Sequence, residues 1–353
     1  MIYFYTFLIS FVMLFSIRMI ADKIGLVDIP NERKLHCDTV PLTGGISIYI
    51  SLIIALVNFF PSNFIFSFNI YLLCSFSLII LGVFDDYYDI NFKVRLLIQG
   101  IISFIMIFQG GDSIQYLGFL IGGDVIVLNK FVSYVITVIA VIGSINAFNM
   151  VDGIDGLLGG LASVTFTALG VVFFNSDNEY LGAICILIVT VLAPYILLNL
   201  GFPFGRRFKI FMGDAGSMFI GFSVVWMLIR GTQEPSIVAF RPVTALWLVA
   251  LPLMDMVTTI TRRMYKGHSP FKPDREHLHH ICLRIGLSPL LTLFLICFMA
   301  SACAIVGIYS DIYGVAESTM FIAFLCLFFV YFTVINYIFS IIFFINKLLG
   351  ITI

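Results

Sequence analysis

Long apolar stretches alternate with short polar ones along the whole 353-residue chain. A helix that crosses a lipid bilayer needs about 20 consecutive, mostly apolar residues, and eleven stretches approach that length. They are centred on residues 2–20, 44–60, 67–84, 94–109, 131–149, 157–175, 180–198, 215–230, 241–260, 288–308 and 318–346. The pattern predicts an all-α polytopic membrane protein with about eleven transmembrane helices, in which residues 1–353 form one domain.

The composition supports this fold class. Hydrophobic residues make up 61% of the chain and charged residues 11%, whereas soluble domains have about 45–50% apolar and about 25% charged residues. The 19 basic and 20 acidic side chains are too few to cover a water-facing surface of this size, so lipid must solvate most of the protein. A net charge of −1 gives no indication of a nucleic-acid partner.

The basic residues predict the orientation in the membrane. Sixteen of the 19 lie in one set of connections, when residues at helix ends are counted with the nearer side. This set comprises residues 21–43, 85–93, 150–156, 199–214 and 261–287, together with the C-terminal tail. Because basic residues concentrate in cytoplasmic loops, we predict that this set faces the cytoplasm, that the N-terminus lies outside and that the C-terminus is cytoplasmic. Residues 112–130 predict a short hairpin on the outer side.

Three acidic residues lie within five positions at the end of the third apolar stretch, in Asp85-Asp86-Tyr87-Tyr88-Asp89. A continuous helix would place Asp85 and Asp89 on one face, with Asp86 beside them. Their mutual repulsion at the hydrocarbon boundary is costly unless a cation or a proton offsets it. The group indicates either a site for a divalent cation or a diphosphate, or a solvated helix end.

A second acidic group follows the fifth stretch, where residues 149–156 contain two Asp-Gly steps at Asp152 and Asp155. Backbone N–H groups in such a glycine-rich turn can face an anion. The carboxylates and the carbonyl of Asn149 are oxygen ligands of the kind that Mg²⁺ prefers. A plain turn between two helices needs no acidic residues, so this segment favours a binding site.

Asp214 opens the eighth stretch, at a position typical of a helix N-cap. The preceding Arg206, Arg207 and Lys209 would attract phosphate. Both a capping role and a metal-binding role are therefore open for Asp214.

All five histidines lie in the predicted cytoplasmic connections, three of them at His277, His279 and His280. Zinc sites usually pair ligands at two separate places, and only Cys282 is nearby. A turn whose Arg and His side chains hydrogen-bond phosphate oxygens is the better interpretation, with a solvated loop as the alternative. Asp255 lies inside a predicted span, which suits either a functional site or pairing with a neighbouring helix.

Five motifs in this order resemble the polyprenyl-phosphate N-acetylhexosamine-1-phosphate transferases. They are D-x-P-N-E-R-K-x-H from Asp28, D-D-x-x-D from Asp85, N-A-x-N-x-x-D-G-x-D-G-L from Asn146, F-M-G-D-A-G-S from Phe211 and S-P-F-x-P-D-R-x-H-L-H-H from Ser269. The last motif is similar to that of the bacterial UDP-GlcNAc:undecaprenyl-phosphate GlcNAc-1-phosphate transferases, which initiate O-antigen and enterobacterial common antigen synthesis.

The resemblance implies transfer of GlcNAc-1-phosphate from UDP-GlcNAc to undecaprenyl phosphate, with Mg²⁺ or Mn²⁺ as cofactor, at the cytoplasmic face of the bacterial inner membrane. It also implies a role for each matching residue. Catalytic roles fall to Asp85, Asp86 and Asp152, metal binding to Asp214 and Asn149, and nucleotide or sugar contacts to Asp155, Phe211, Asn199, Arg275 and His279. Asp89, His277, His280 and Asp255 are left as structural or unassigned.

Other functions are open on the residues alone. UDP-GalNAc or another UDP-N-acetylhexosamine would suit the same chemistry. A secondary transporter should carry its charges near the bilayer midplane between inverted repeats, which this chain does not show. A membrane prenyltransferase would share the D-D-x-x-D motif but needs a second Asp-rich motif. The oligomeric state is also open, including a homodimer.

Overall fold

The computed structural model describes residues 1–28, 39–233, 238–270 and 276–349, with side chains up to residue 338. Arg275, predicted to contact the sugar diphosphate, lies outside the described residues, as do residues 29–36 of the first motif. The described residues form fourteen α-helices. These are α1 (Ile2–Ile24), α2 (Gly44–Phe59), α3 (Ser62–Ser67), α4 (Asn69–Tyr88), α5 (Phe92–Gly110), α6 (Lys130–Val151), α7 (Leu157–Asn175), α8 (Glu179–Asn199), α9 (Gly213–Gln233), α10 (Pro242–Leu248), α11 (Ala250–Tyr265), α12 (Leu278–Arg284), α13 (Pro289–Ile312) and α14 (Glu317–Leu349).

Nine of the described helices are long and apolar enough to span a membrane, namely α1, α4 to α9, α13 and α14. Helices α10 and α11 make a tenth span if they are counted together, although they are bent by 79° relative to each other. Helix α2 has only 16 residues. The described chain therefore supports nine or ten spans rather than about eleven, and the prediction of a polytopic helical membrane protein is confirmed.

The predicted span 241–260 is broken at Val249, between α10 and α11. Pro252 gives the physical reason. In a continuous helix its ring would clash with the carbonyl of Leu248, and it has no N–H to donate. The first turn of a new helix needs no such hydrogen bond, so Pro252 is accommodated where α11 begins.

Two short β-structures interrupt the helical fold. Strands β1 (Val27–Asp28) and β2 (Val40–Pro41) pair antiparallel, which the all-α prediction did not include. Residues 112–130 form the predicted hairpin, with Tyr116 and Val127 opposite each other in an antiparallel bridge.

Helix α9 lies at the centre of the bundle, where nearly all its residues are buried. Small residues let the neighbouring backbones approach it closely, as is usual between helices in membranes. A Cβ atom on Gly82 of α4 would lie 2.2 Å from the Cα of Ala215, and one on Gly45 of α2 would lie 2.3 Å from the Cα of Gly216. These contacts bring the C-terminus of α4 to the N-terminus of α9, at the end of the bundle that we call the loop face.

Candidate active site

Asp86 caps the N-terminus of α9 from a different helix. Its carboxylate accepts hydrogen bonds from the backbone N–H groups of Asp214, at 2.8 Å, and Ala215, at 3.3 Å. The first N–H groups of a helix have no partner within it, and a negative charge there is favoured by the helix dipole. Gly213 makes room for this contact, since a Cβ on it would lie 2.5 Å from an Asp86 oxygen.

Asp85 is buried and paired. It accepts hydrogen bonds from the backbone N–H of Ile90, at 2.9 Å, and from Arg95 of α5, at 2.6 Å. Asp89 does not share its face, as a continuous helix would require. Helix α4 ends at Tyr88, and Asp89 follows in the left-handed conformation with φ 50°, exposed to solvent. That expectation was therefore wrong, because the helix stops one residue too early.

Asp214 lies in the first turn of α9 and not at its N-cap. The side-chain amide of Asn149, near the end of α6, donates to Asp214 and also to the hydroxyl of Ser217, at 2.8 Å. Asn149 thus holds the Asp214 carboxylate against α9. The two residues predicted to bind metal are in direct contact.

The turn between α6 and α7 carries the next two carboxylates. Asp155 forms an ion pair with Lys209, at 2.7 Å, and the Lys209 ammonium lies over the ring of Phe211, 4.9 Å from its centroid. Asp152 keeps an accessible surface. The surrounding protein atoms and the charges of Asp214 and Asp155 raise the pKa of its carboxyl to about 7.

Asn199 is only 3% exposed, at the end of α8. It accepts a hydrogen bond from the backbone N–H of Gly156, at 2.5 Å, and donates one to the carbonyl of Ile210, at 2.8 Å. Both ends of its amide are thus used within the protein. This arrangement favours a role in joining the 152–156 turn to the segment before α9 over the predicted contact with a nucleotide base.

Asp255 of α11 anchors the histidine segment. Its carboxylate accepts hydrogen bonds from the hydroxyl of Tyr331, at 2.9 Å, and from the backbone N–H of Leu278, at 3.0 Å, and its other oxygen lies 2.9 Å from Nδ1 of His277. Helices α11, α12 and α14 therefore meet at one buried carboxylate. Of the two interpretations of Asp255, pairing with a neighbouring element is the one that this geometry supports.

His279 projects from α12 onto the 152–156 turn and is 2% exposed. A Cβ on Gly153 would lie 2.0 Å from its Nε2 atom, so only glycine fits there. Nε2 is buried and has no hydrogen-bond partner among the described residues. Burial, together with the charges that His280 and His277 can carry, lowers the pKa of His279 to about 3. The imidazole is therefore neutral near pH 7.

The acidic groups meet at Asp214. Its charge interacts with those of Asp85 and Asp86 at the end of α4 and of Asp152 in the turn after α6, so the four residues come from three separate segments. Lys209, Phe211 and His279 border the same turn through Asp155 and Gly153. The sequence-predicted residues that the structure describes thus lie together, apart from the exposed Asp89.

The residues present fit a magnesium ion, although within the described ranges no three His, Cys, Asp or Glu side chains are close enough to form a complete metal site. Mg²⁺ often takes one or two protein carboxylates and fills its other positions with water and substrate phosphates. Asp214 and Asp152 are oxygen donors of this kind, and neither has a cationic partner in the described part of the chain.

Comparisons with known proteins identify the family of the chain. Residues 68–232 match the family described as glycosyl transferase family 4. The chain is 43% identical over 329 residues to an undecaprenyl-phosphate alpha-N-acetylglucosaminyl 1-phosphate transferase from Haemophilus influenzae, covering 93% of this chain and 91% of the relative. It is 42% identical over 328 residues to the proteins of that name from Yersinia pestis and Escherichia coli K12, covering 93% and 92% of this chain and 88% of each relative.

The chain is a member of this undecaprenyl-phosphate alpha-N-acetylglucosaminyl 1-phosphate transferase family. The resemblance inferred from the five motifs is confirmed. The similarity to these transferases extends well beyond residues 68–232, because the relatives align over more than nine-tenths of the chain.

Sequence reasoning missed two residues that shape the candidate site and did not identify the partner of a third. Arg95 is ten positions from its partner Asp85, and Gly153 is 126 positions from the His279 ring that it accommodates. Lys209 was seen only as one of a basic group. Pairings between residues so far apart in the sequence leave little local pattern. The one available signal is a basic residue soon after an acidic helix end, and it indicates Arg95.

Proposed function

We propose that this protein transfers GlcNAc-1-phosphate from UDP-GlcNAc to undecaprenyl phosphate, giving undecaprenyl-diphosphate-GlcNAc and UMP. The observation that carries the proposal is the convergence of Asp85, Asp86 and Asp152 on Asp214 at one end of a membrane bundle. The names of relatives 42–43% identical support the donor and the acceptor. Such a site lets a soluble diphosphate meet a lipid-borne phosphate.

The active site faces the cytoplasm of a bacterial inner membrane in this proposal. The support is the concentration of basic residues in the connections of the loop face. UDP-sugars are water-soluble, so the donor reaches this face from the aqueous side. From the same rule we propose that the N-terminus lies outside and the C-terminus in the cytoplasm, which requires an odd number of crossings.

The reaction forms a bond between an oxygen of undecaprenyl phosphate and the β-phosphorus of UDP-GlcNAc, and it breaks the bond from that phosphorus to the oxygen of UMP. The second pKa of a phosphate monoester is about 6, so the attacking phosphate is already largely dianionic at neutral pH. A strong general base is therefore unnecessary. Asp85 and Asp86, which already accept hydrogen bonds within the protein, position the end of α4 and the lipid headgroup.

Asp214, oriented by Asn149, and Asp152 would hold Mg²⁺. The ion, when bound, offsets the negative charge of the diphosphate oxygens. Lys209 holds Asp155 and stacks on Phe211, which gives the nucleotide side of the site one cation and one aromatic face. His279, neutral and packed against Gly153, closes the sugar side. A contact of Arg275 with the sugar diphosphate is inferred from its motif alone.

One assay tests the proposal directly. Membranes containing the protein are incubated with undecaprenyl phosphate, Mg²⁺ and labelled UDP-GlcNAc or UDP-GalNAc, and lipid-extractable label and released UMP are measured. We expect equal amounts of lipid product and UMP from UDP-GlcNAc. Faster transfer from UDP-GalNAc would show that UDP-GalNAc is the preferred donor. No transfer from either donor, with the protein present and folded, would refute the proposed transferase activity.

Replacing Asp214 with Ala is expected to abolish turnover at every Mg²⁺ concentration, because the central oxygen ligand is lost. Asp124→Ala is the matched control, since Asp124 is exposed in the 112–130 hairpin and should keep full activity. Comparable turnover in the two variants would contradict the assignment of Asp214 as a metal ligand.

A further inference from the structure

A second charged feature lies at the loop face, beside α1 rather than among the carboxylates. It is a recess of about 540 Å³. Its described lining consists of Arg18, Asp22, Val27, Thr39, Arg206, Arg207 and Lys209. Four cations and one acidic residue therefore surround a space large enough for a charged headgroup.

The cations of this recess have few acidic partners among the residues that the structure describes. Arg206 and Arg207 are exposed and have no ion pair with any residue that the structure describes. Arg18 donates to the backbone carbonyl of Arg207, and its Nε atom is buried without a hydrogen-bond partner in the described ranges. Within the described ranges, Lys209 is the one cation of the recess with an acidic ion-pair partner, Asp155. Like charges held this close repel one another, so a bound anion would stabilise the recess.

An aromatic cluster leads from the recess toward the membrane interior. The Arg18 guanidinium lies over the ring of Phe208, 5.2 Å from its centroid. Phe208 contacts Phe15, at 5.8 Å, and Phe204, at 5.7 Å between ring centroids, and Phe15 continues to Phe11, at 5.1 Å. Phe11 and Phe15 belong to the span α1, and Phe204 is 49% exposed. Cationic and apolar surfaces are thus continuous.

We propose that this recess is a binding site for an anionic phospholipid, whose phosphate contacts Arg18, Arg206 and Arg207 and whose acyl chain lies along the aromatic cluster. Arginine is suited to phosphate because its planar guanidinium can donate two parallel hydrogen bonds. Basic pockets beside transmembrane helices are typical sites for anionic headgroups. The aromatic cluster continues from the recess along the span α1, where an acyl chain can follow it, so it favours a lipid over a soluble phosphate.

The test measures which lipid headgroup the protein retains. This measurement requires neither UDP-GlcNAc nor catalytic turnover. The purified full-length protein is equilibrated in mixed micelles of phosphatidylglycerol and phosphatidylcholine, and retained lipid is measured by native mass spectrometry. We expect preferential retention of phosphatidylglycerol. Arg206→Ala and Arg207→Ala should each lower that preference roughly 5-fold, and the double variant roughly 30-fold. Arg284→Ala, which removes an exposed arginine outside the recess, is the matched control.

Three outcomes would overturn the proposal. The first is no preference for phosphatidylglycerol in the wild-type protein, and the second is an equal loss in Arg284→Ala and Arg206→Ala. The third is displacement of phosphatidylglycerol by UDP or undecaprenyl phosphate at a lower concentration in the wild-type protein than in Arg206→Ala, because the recess would then bind a substrate. Thermal unfolding of each variant separates a lost site from a misfolded protein.

Discussion

Two adjacent carboxylates, Asp85 and Asp86, face different partners although they share one sequence motif. Asp85 is paired with Arg95 on the next helix, whereas Asp86 accepts backbone N–H groups at the start of α9. A motif of paired acids therefore need not mean two equivalent groups in the reaction. For Asp86 the geometry supplies a capping role that can be measured separately from catalysis.

Asp86→Ala should lower the free energy of unfolding by about 1 kcal/mol, because removal of an N-cap acceptor leaves helix N–H groups unpaired. Asp86→Asn keeps a side-chain oxygen for Asp214 and should lose less. Asp124→Ala, an equivalent change at an exposed position of the 112–130 hairpin, should leave stability unchanged. Thermal unfolding in detergent would measure all three. Equal stability of Asp86→Ala and the wild-type protein would contradict the capping role.

His279 should make the protein less stable in acid. Its pKa is lowered to about 3 in the folded protein, whereas an unfolded histidine has a pKa of about 6.5. Between these values the unfolded chain binds the additional proton, so stability falls as the pH drops below about 6.5, by about 2 kcal/mol at pH 5. We expect the melting temperature of His279→Gln to change less between pH 8 and pH 5 than that of the wild-type protein. An identical pH dependence would show that His279 does not titrate this way.

At the scale of helices, the close contact between α4 and α9 places the acidic end of one over the N-terminus of the other. Gly82 makes that contact possible, because a Cβ atom there would lie 2.2 Å from the Ala215 backbone. Gly100, in the middle of α5, faces open space instead, and a Cβ atom added to it would meet no atom of another part of the protein within 4 Å. Substitution by alanine should therefore have opposite effects on stability at Gly82 and Gly100.

Gly82→Ala should force α4 and α9 apart, lower the free energy of unfolding by about 1–3 kcal/mol and reduce turnover, because Asp86 would move away from Asp214. Gly100→Ala should be neutral or raise stability by up to about 1 kcal/mol, since alanine favours the helix. Transferase activity and thermal unfolding of both variants provide the measurement. A Gly82→Ala protein as active and stable as Gly100→Ala would mean that the helices are not held by this contact.

Helices such as α6 and α7 could be predicted because membrane solvation demands long apolar stretches, which are visible in the sequence. Pro252 was one sequence signal for the helix break at Val249. The bend was not predicted, because the apolar stretch continues across the break. The pairing of Asp255 with His277 could not be foreseen, because they are 22 positions apart on separate helices. Motif resemblance identified the acids that meet at Asp214, whereas their individual hydrogen bonds depend on packing that one sequence does not reveal.

At the scale of the whole molecule, charged residues lie at both ends of the bundle. At the end opposite the loop face, Asp112 pairs with Arg230, at 3.1 Å, and Asp311 pairs with Arg241, at 2.5 Å. The loop face also has ion pairs, between Asp85 and Arg95 and between Asp155 and Lys209. Unlike these, Asp152 and Asp214, and Arg206 and Arg207 of the recess, have no ion-pair partner among the residues that the structure describes. Carboxylates and arginines without such partners are available to cations and phosphates, so we expect ligand binding at the loop face.

The orientation of these two ends can be tested with cysteine substitutions at exposed lysine and arginine positions. Lys130 begins α6 at the end opposite the loop face, and Arg284 ends α12 at the loop face; both are exposed. If the loop face is cytoplasmic, a membrane-impermeant maleimide should modify Lys130→Cys in intact cells and Arg284→Cys only after the membrane is permeabilised. The unsubstituted protein gives the background from its own cysteines. Labelling of Arg284→Cys in intact cells would reverse the orientation and place the carboxylates around Asp214 on the side away from cytoplasmic UDP-GlcNAc.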